Sequence, residues 1–485
     1  MRLLPVTLAL SLAAAGCSST KAPSAPADAA SEAAPSDPTQ ATRASCGYDV
    51  GALATDTQGA SAPNGATIPI DTIVVIMMEN RSFDHYFEDL PNQGWTDVDV
   101  APVAPPDAGP DAAQATNPGV DGTPVPFAHG TQLCFADTNH SWDGTHQEID
   151  DGKMDGFALA NDGTHEDPMV GPPGFLSGAR AMTYYTKGDL PFMYWAAENF
   201  AIGDRYFASV PGPTWPNREY FYAATSWGET TTGAFPTPTS PTVLDALGAA
   251  GVSWGYYTPG ELPTTTLFIN SPGYASYSDN VFTFDEFTGD AAAGTLPHVV
   301  ILDPSLFPEG YDNNDEHPPA VMQVGEAWRA GAVQTLLASP QWARMAVFLL
   351  YDEHGGLYDH VPPPPACPPD ATPPKLATPD GGTYGGFDEY GVRLPFVVMS
   401  PYAKGHYVSH QVFDHTSVLR FIEARFGLPA LTKRDANALA PWDVFDFAAS
   451  PNLTPPPMPA VPVDQDTIAQ CATIFTSAIP TEYSQ

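Results

Sequence analysis

Positive charge is what this sequence has least of: 18 Lys and Arg stand against 56 Asp and Glu, a formal charge of -38 over 485 residues. Nucleic acid and anionic lipid headgroups would be repelled by such a surface, which excludes both as general partners. Divalent cations would be favoured. Cysteine is scarce as well, with five residues and no C-x-x-C pair, so a thiolate zinc site is excluded. Beyond the first 17 residues no stretch reaches the ~18 apolar residues that a membrane helix needs. Regular structure is limited by 54 prolines and 41 glycines, which leave much of the chain as loop. A hydrophobic content of 43% still supports a sizeable core, in one large domain or two ordinary ones.

What is present starts with residues 1–17, MRLLPVTLALSLAAAGC, which have the form of a secretory signal. The ending Ala14-Ala15-Gly16-Cys17 resembles a bacterial lipobox, with Ala where Leu is usual three residues before the cysteine. This implies export and a lipid anchor on Cys17, at the outer membrane or periplasm, or secretion; the anchor would be the chain's one route to a membrane. Residues 18–65, rich in Ala, Ser, Pro and Thr, read as a flexible tether. Residues 451–485 form a Pro-rich C-terminal extension expected to pack back on the domain. Cys46, Cys134, Cys367 and Cys471 read as two disulfides in an exported chain. Three pairings are open, and Cys46 with Cys471 would tie the two ends together.

The organising stretch is Asp71 to Phe87, DTIVVIMMENRSFDHYF. An uncharged run from Thr72 to Met78, rich in β-branched residues, suits a strand buried on both faces. It stops at Glu79-Asn80. Ala346 to Tyr351 repeats the pattern and stops at Asp352-Glu353; Leu394 to Met399 is a third run, ending at Ser400. Further strands are expected at 203–207, 252–257 and 298–302. Helices are expected from Asp189, as N-cap, to Phe200, over 219–226 and 319–337, and from a cap at 414–416 to Phe426. Strands alternating with helices predict an α/β fold with a mainly parallel central sheet flanked by helices, beginning at Ile68.

In such a sheet, ligands bind beyond the carboxyl ends of the strands. Glu79, Asn80, Asp352 and Glu353 are therefore expected to meet at one edge. Carboxylates gathered there repel one another unless a cation lies among them. Oxygen donors favour Mg, Ca or Mn, with Zn possible. Thr214, at the start of a helix after Pro211-Gly-Pro, would receive free backbone amides and the helix's partial positive charge. Next to a cation its hydroxyl becomes a nucleophile, with Arg218 holding an anionic phosphoryl group. Trp142, Trp215, Tyr351 and Tyr358 are candidates for an aromatic cage around a choline headgroup. His415 is expected to support a helix start.

Five segments in order, IVVIMMENRSFDHYF, HSWDGTHQ, DRYFASVPGPTWPNREY, NDEHPP and FLLYDEHGGLYDHVPPP, together resemble the bacterial phosphoesterase family. That family holds acid phosphatases and phosphatidylcholine-type phospholipases C, within the alkaline-phosphatase-like superfamily. The resemblance spans residues 68–447 and implies a phosphoesterase domain over 66–450. It implies that Glu79, Asn80, Asp352, Glu353 and Thr214 hold a divalent metal, that Thr214 is the nucleophile, and that His146 and His317 act at the reacting phosphate. His140 and His354 would contact substrate. Thr214-Trp-Pro-Asn-Arg218 has the sulfatase spacing, but Thr cannot be oxidised to formylglycine, which disfavours a sulfatase. Thr214 is closer to the phospholipase side and Asp-Glu-His-Gly-Gly to the phosphatase side. The expected activity is therefore hydrolysis of a small phosphoester or a phospholipid headgroup through a phosphothreonine. The alternative is an inactive surface-displayed binding lipoprotein, against which the intact five-residue set argues.

Overall fold

The run Thr72–Met78 forms strand β1, with every residue buried. In the computed structural model this strand lies in the middle of an eight-stranded sheet. The residues described are 39–105, 113–163, 176–233, 235–260, 263–271, 273–306, 310–376, 384–454 and 456–475. The other strands of this sheet are β2 (Ala201–Gly203), β3 (Trp254–Thr258), β4 (Val281–Thr283), β5 (Val299–Leu302), β6 (Met345–Tyr351), β7 (Phe396–Met399) and β8 (Tyr407–Ser409). Their order across the sheet is β8-β2-β7-β6-β1-β5-β3-β4. The pairs β1–β6, β1–β5, β3–β5, β3–β4 and β2–β8 are parallel. Only β7 runs against both of its neighbours. The fold is thus α/β with a mainly parallel central sheet.

Register decides where the site falls. Met78 lies opposite Tyr351, and Ile76 opposite Leu302. Residues Glu79, Asp352 and Asp303, which follow these strands, therefore leave the sheet at one edge. The helices that matter most for that edge are α1 (Trp142–Ile149), α2 (Thr214–Ala223), α3 (Met322–Ala338) and α4 (His415–Phe426). Helices α2, α3 and α4 cover an aromatic- and aliphatic-rich core around β1 and β6, consistent with strands buried on both faces, while α1 packs into smaller clusters through Trp142 and Ile149.

Several expectations are corrected. Residues 39–65, expected as tether, pack on the domain. The Gly51 amide donates to the Ala430 carbonyl and the Ala430 amide to the Ala52 carbonyl, and buried Gln58 bonds to Ala438 and Ala440. Small residues allow that close approach, and Cys46 fixes it. Residues 1–38, which contain the expected signal and lipobox, lie outside the described residues. The sheet begins at Thr72 rather than Ile68. The strand expected at 203–207 is Ala201–Gly203 instead. Helix formation near 190 begins at Pro191, and Asp189 accepts hydrogen bonds from Thr186 and His129 rather than capping the helix. Because β7 is antiparallel, Ser400 lies at the edge away from Glu79.

The cysteines pair as Cys46–Cys367 and Cys134–Cys471, with Cα separations of 5.5 and 6.3 Å. The pairing of Cys46 with Cys471 is therefore excluded. Helix α5 (Gln465–Phe475) carries Cys471, which is buried against Cys134 and Val321. No helix among the described residues is long and apolar enough to cross a membrane. Linking residues 321 apart restricts the unfolded chain. The double variant Cys46→Ala/Cys367→Ala should lose about 2–4 kcal/mol of unfolding free energy in urea titrations. An unchanged midpoint would show that the packing of residues 39–65 holds without the bond.

Candidate active site

The sheet edge is closed by one guanidinium. Arg218 is fully buried and gives Nε to Asp352 Oδ2 at 3.1 Å, one terminal nitrogen to Asp303 Oδ2 at 3.2 Å, and the other to Glu79 Oε1 at 3.3 Å. Sequence reasoning set Arg218 against the phosphoryl group; here its fork is engaged by three carboxylates. It stands one helical turn after Thr214 on α2, so the two share a helix face. This ties the helix that begins at Thr214 to the ends of β1, β5 and β6.

Thr214 opens α2 with Pro213 as its extended cap residue. The preceding loop is held by buried Asn217, which accepts from the Val210 amide at 3.0 Å and donates to the carbonyls of Val210, Gly212 and Pro213. Thr214, Glu79 and Arg218 line a small cleft of about 20 Å³, with Trp215, Pro263 and Leu306 on its apolar side. Thr214 and Glu79 therefore open on one space.

Asn80 adopts a left-handed backbone, φ 63°, which Asn tolerates better than most residues. Its amide N–H donates to Asp352 Oδ1 at 3.3 Å, and the Arg81 amide donates to the Glu353 carbonyl. Gly355 packs on it so closely that a Cβ there would lie 2.7 Å from Asn80 Cβ. Asp352 is further fixed through its carbonyl, bonded at 2.7 Å to His415 Nε2. Burial pushes His415 down to about 4, so it supports Asp352 as a neutral ring.

Asn80 Oδ1, Glu353 Oε1 and Asp303 Oδ1 are all buried oxygens with no hydrogen-bond partner. Such orphaned oxygens are costly unless a cation or water satisfies them, and hard oxygen donors suit one. Asp137, His140 and His317 also bring ligand atoms within 4.8 Å of one another. The groups present are therefore compatible with a divalent metal.

Electrostatics divides the edge in two. Burial pushes Glu79 well above the ordinary carboxylate range, the Asp352 charge adds to this, and Arg218 opposes it. Burial likewise takes Asp352 up to about 6 against the pull of Arg218. On the other side, burial works to raise Glu353, but His140, His354 and the Gly355 amide outweigh it and hold the group low. Burial would discharge His354, yet Glu148 and Glu353 keep it protonated up to about 9. His140 is raised because Glu353 and Asp137 outweigh its burial.

Of the expected histidines, His140 and His317 face each other, ring centroids 5.6 Å apart. His317 places Nδ1 2.7 Å from the Pro318 carbonyl, and its amide donates to Asp315 Oδ1. His354 is buried between Glu148 at 2.7 Å and Glu353 at 3.3 Å. His146 stacks on Tyr384 with centroids 4.1 Å apart and bonds to the Trp142 carbonyl, on a helix whose Trp142 packs against Gly212. The four aromatics expected as a cage are dispersed: Tyr351, Tyr358 and Trp142 fall in separate core clusters. Only Trp215 lines the cleft.

Sequence reasoning missed Asp303, Asp315, Asp137 and Glu148. Asp303 had a signal: it follows a buried strand as Glu79 and Asp352 do. Glu148 had none, because its partner His354 is 206 residues away.

At one edge of the mainly parallel sheet lie carboxylates, histidines and a helix-borne threonine, and the family and relatives that the chain matches make it a phosphoric ester hydrolase. The model described as "Phosphoesterase family" matches residues 70–429, and the chain belongs to that family. It is similar to Phospholipase C B of Mycobacterium tuberculosis (strain ATCC 25618 / H37Rv), 32% identical over 443 residues, 82% of each chain. It is also similar to Non-specific phospholipase C6 of Arabidopsis thaliana, 31% identical over 428 residues, 83% of this chain and 77% of that one. Among solved structures, lipoteichoic acid synthase LtaP from Listeria monocytogenes aligns at 10% identity and TM-score 0.37, covering 82% of each chain. An alkaline phosphatase superfamily protein from Vibrio parahaemolyticus aligns at 11% and 0.31, covering 51% of this chain and 62% of that one.

A separate buried cluster pins the loop after β1. Arg393 joins Asp359 at 2.8 Å and Asp84 at 2.9 Å, and His360 Nδ1 lies 2.6 Å from Asp84. Burial would lower His360, but Asp84 outweighs it and holds the ring at about 9, above its ordinary value of 6.5. A folded-state value above the unfolded one gives stability that is complete below pH 6.5 and lost as pH rises through about 9. Urea unfolding of His360→Gln at pH 6, 8 and 10 should therefore fall short of wild type at pH 6 and converge with it at pH 10. A pH-independent difference would contradict this.

Proposed function

We propose that the chain is a metal-dependent phosphodiesterase of the phospholipase C type, acting through a phosphothreonine on Thr214. The observation that carries this reading is that Thr214 and Glu79 open on one cleft while Arg218, on the same helix, is bonded to the carboxylates at three strand ends. The phospholipase C names of relatives over four-fifths of the chain support a headgroup diester over a monoester.

Glu79, Asn80, Asp352 and Glu353 are the residues that would hold a divalent cation beside Thr214. When bound it would lower the threonine hydroxyl pKa and offset charge on the phosphoryl oxygens. Free amides at the start of α2 orient those oxygens. Thr214 Oγ1, its proton lost to solvent, forms a bond to phosphorus as the bond to the departing alcohol breaks. His317, held by Pro318 and facing His140, gives that alcohol its proton. Water then attacks the phosphothreonine, releasing the phosphorylated headgroup and restoring the hydroxyl. Arg218 and Asn217 act by holding the helix start in place. A role for His146 in the same proton transfer, expected from sequence, is less favoured, since its ring is stacked on Tyr384.

Thr214→Ala should lower turnover of nitrophenyl phosphorylcholine by about three orders of magnitude or more, as loss of a nucleophile does, with unchanged circular dichroism. Turnover near wild type would remove Thr214 from the mechanism. Wild type should prefer that diester to nitrophenyl phosphate; the reverse preference would make it a phosphatase. Elemental analysis should find a divalent cation, and Asn80→Ala with Glu353→Gln should abolish its retention. Full activity in metal-free protein would overturn the metal assignment.

A further inference from the structure

Two stretches of this acidic chain, residues 230–244 and 262–278, contain no charged side chain. They meet beside the cleft: Asn270 Nδ2 donates to the carbonyl of Pro236 at 3.0 Å, bridging one to the other. From the meeting point Phe235 and Ile269 stand 45% and 51% exposed. Phe235 is the only aromatic among the large apolar side chains exposed in the described residues.

This lip is continuous with the catalytic edge. Thr264 Oγ1 donates to Asp303 Oδ2 at 2.8 Å, in the carboxylate group held by Arg218, and its amide donates to Tyr256 at 3.0 Å. Thr264, Thr266 and Leu267 then form a wall of the cleft that Thr214 lines, and Ile269 follows within one short turn. On the other stretch, the Phe235 ring lies 5.3 Å from Trp215, the residue after Thr214. An apolar path thus runs from the nucleophile to the outside.

We propose that Phe235 and Ile269 form a docking lip that seats the cleft on the surface of a zwitterionic phospholipid bilayer. The occupant follows from charge. A protein of formal charge -38 is repelled by an anionic bilayer, and an uncharged apolar lip offers nothing to a cationic partner. A net-neutral lipid surface takes the two side chains into its acyl boundary and presents its phosphodiester at the depth of the headgroups. This rests on reading the cleft as a site for a headgroup diester.

The test compares wild type with Phe235→Ser/Ile269→Ser, both on a Cys17→Ala background so that no acyl anchor contributes. Sedimentation with phosphatidylcholine vesicles should show partition reduced about tenfold or more, since two large apolar side chains lose their burial. Hydrolysis of vesicle lipid should fall in step, while soluble nitrophenyl phosphorylcholine is turned over at the wild-type rate. Vesicles enriched in phosphatidylglycerol should bind wild type less. Unchanged partition of the variant would overturn the lip. So would equal losses on both substrates, or a wild-type dimer that the substitutions dissociate, which would make this face a self-interface. Lip-dependent vesicle binding with no turnover of either substrate would support the lip and overturn the hydrolase reading instead.

Discussion

The structure depends on one buried cation. Arg218 sits where three parallel strands end and supplies the positive charge that offsets the burial of the Glu79, Asp303 and Asp352 carboxylates. Removing one partner of such a buried set leaves uncompensated charge, an effect of about 3–5 kcal/mol. Because Arg218 belongs to the helix that begins at Thr214, the same contact that makes the carboxylates tolerable also locates the hydroxyl. Stability of the sheet edge and placement of the Thr214 hydroxyl are one interaction.

The same arrangement recurs through the molecule. Basic residues are few, yet Arg81, Arg218, Arg329, Arg393, Arg420 and Arg434 are fully buried. Arg329 binds Glu316 at 2.6 Å and Glu326 at 2.8 Å behind the segment that carries Asp315 and His317. Tyr351 and Tyr86 donate to the same Glu316 carboxylate. Glu316 has a left-handed backbone, φ 77°, an uncommon state for a residue with a Cβ, and these bonds hold it there. These cations are buried together with carboxylates, so the surface keeps most of the acidic excess of the composition. An uncharged lip beside the cleft is then the part of that surface best able to approach a neutral lipid layer.

Much of this was legible in the chain. Continuous apolar runs stopping at Glu79 and Asp352 gave both central strands, their burial and the edge where chemistry would lie, since period and composition act locally. The third run, ending at Ser400, looked identical but is antiparallel, and no local signal distinguishes the direction in which a buried strand is paired. Asp303 followed a strand already recognised and was within reach of the same reasoning. The packing of residues 39–65 was hidden because their small, polar composition matches a tether, and their partners lie near 367 and 430–440.

Sequence alone determined the elements that depend on neighbours along the chain: the buried strands, the turn residues after them, and the threonine at a helix start. Tertiary structure decided what each polar group faces. It turned Arg218 from a substrate ligand into the counter-charge of three carboxylates, paired Cys46 with Cys367, enclosed His354 between two glutamates and scattered the aromatic cage. The reason is physical: the work of burying a charge is set by partners hundreds of residues away, and no local pattern encodes their distance.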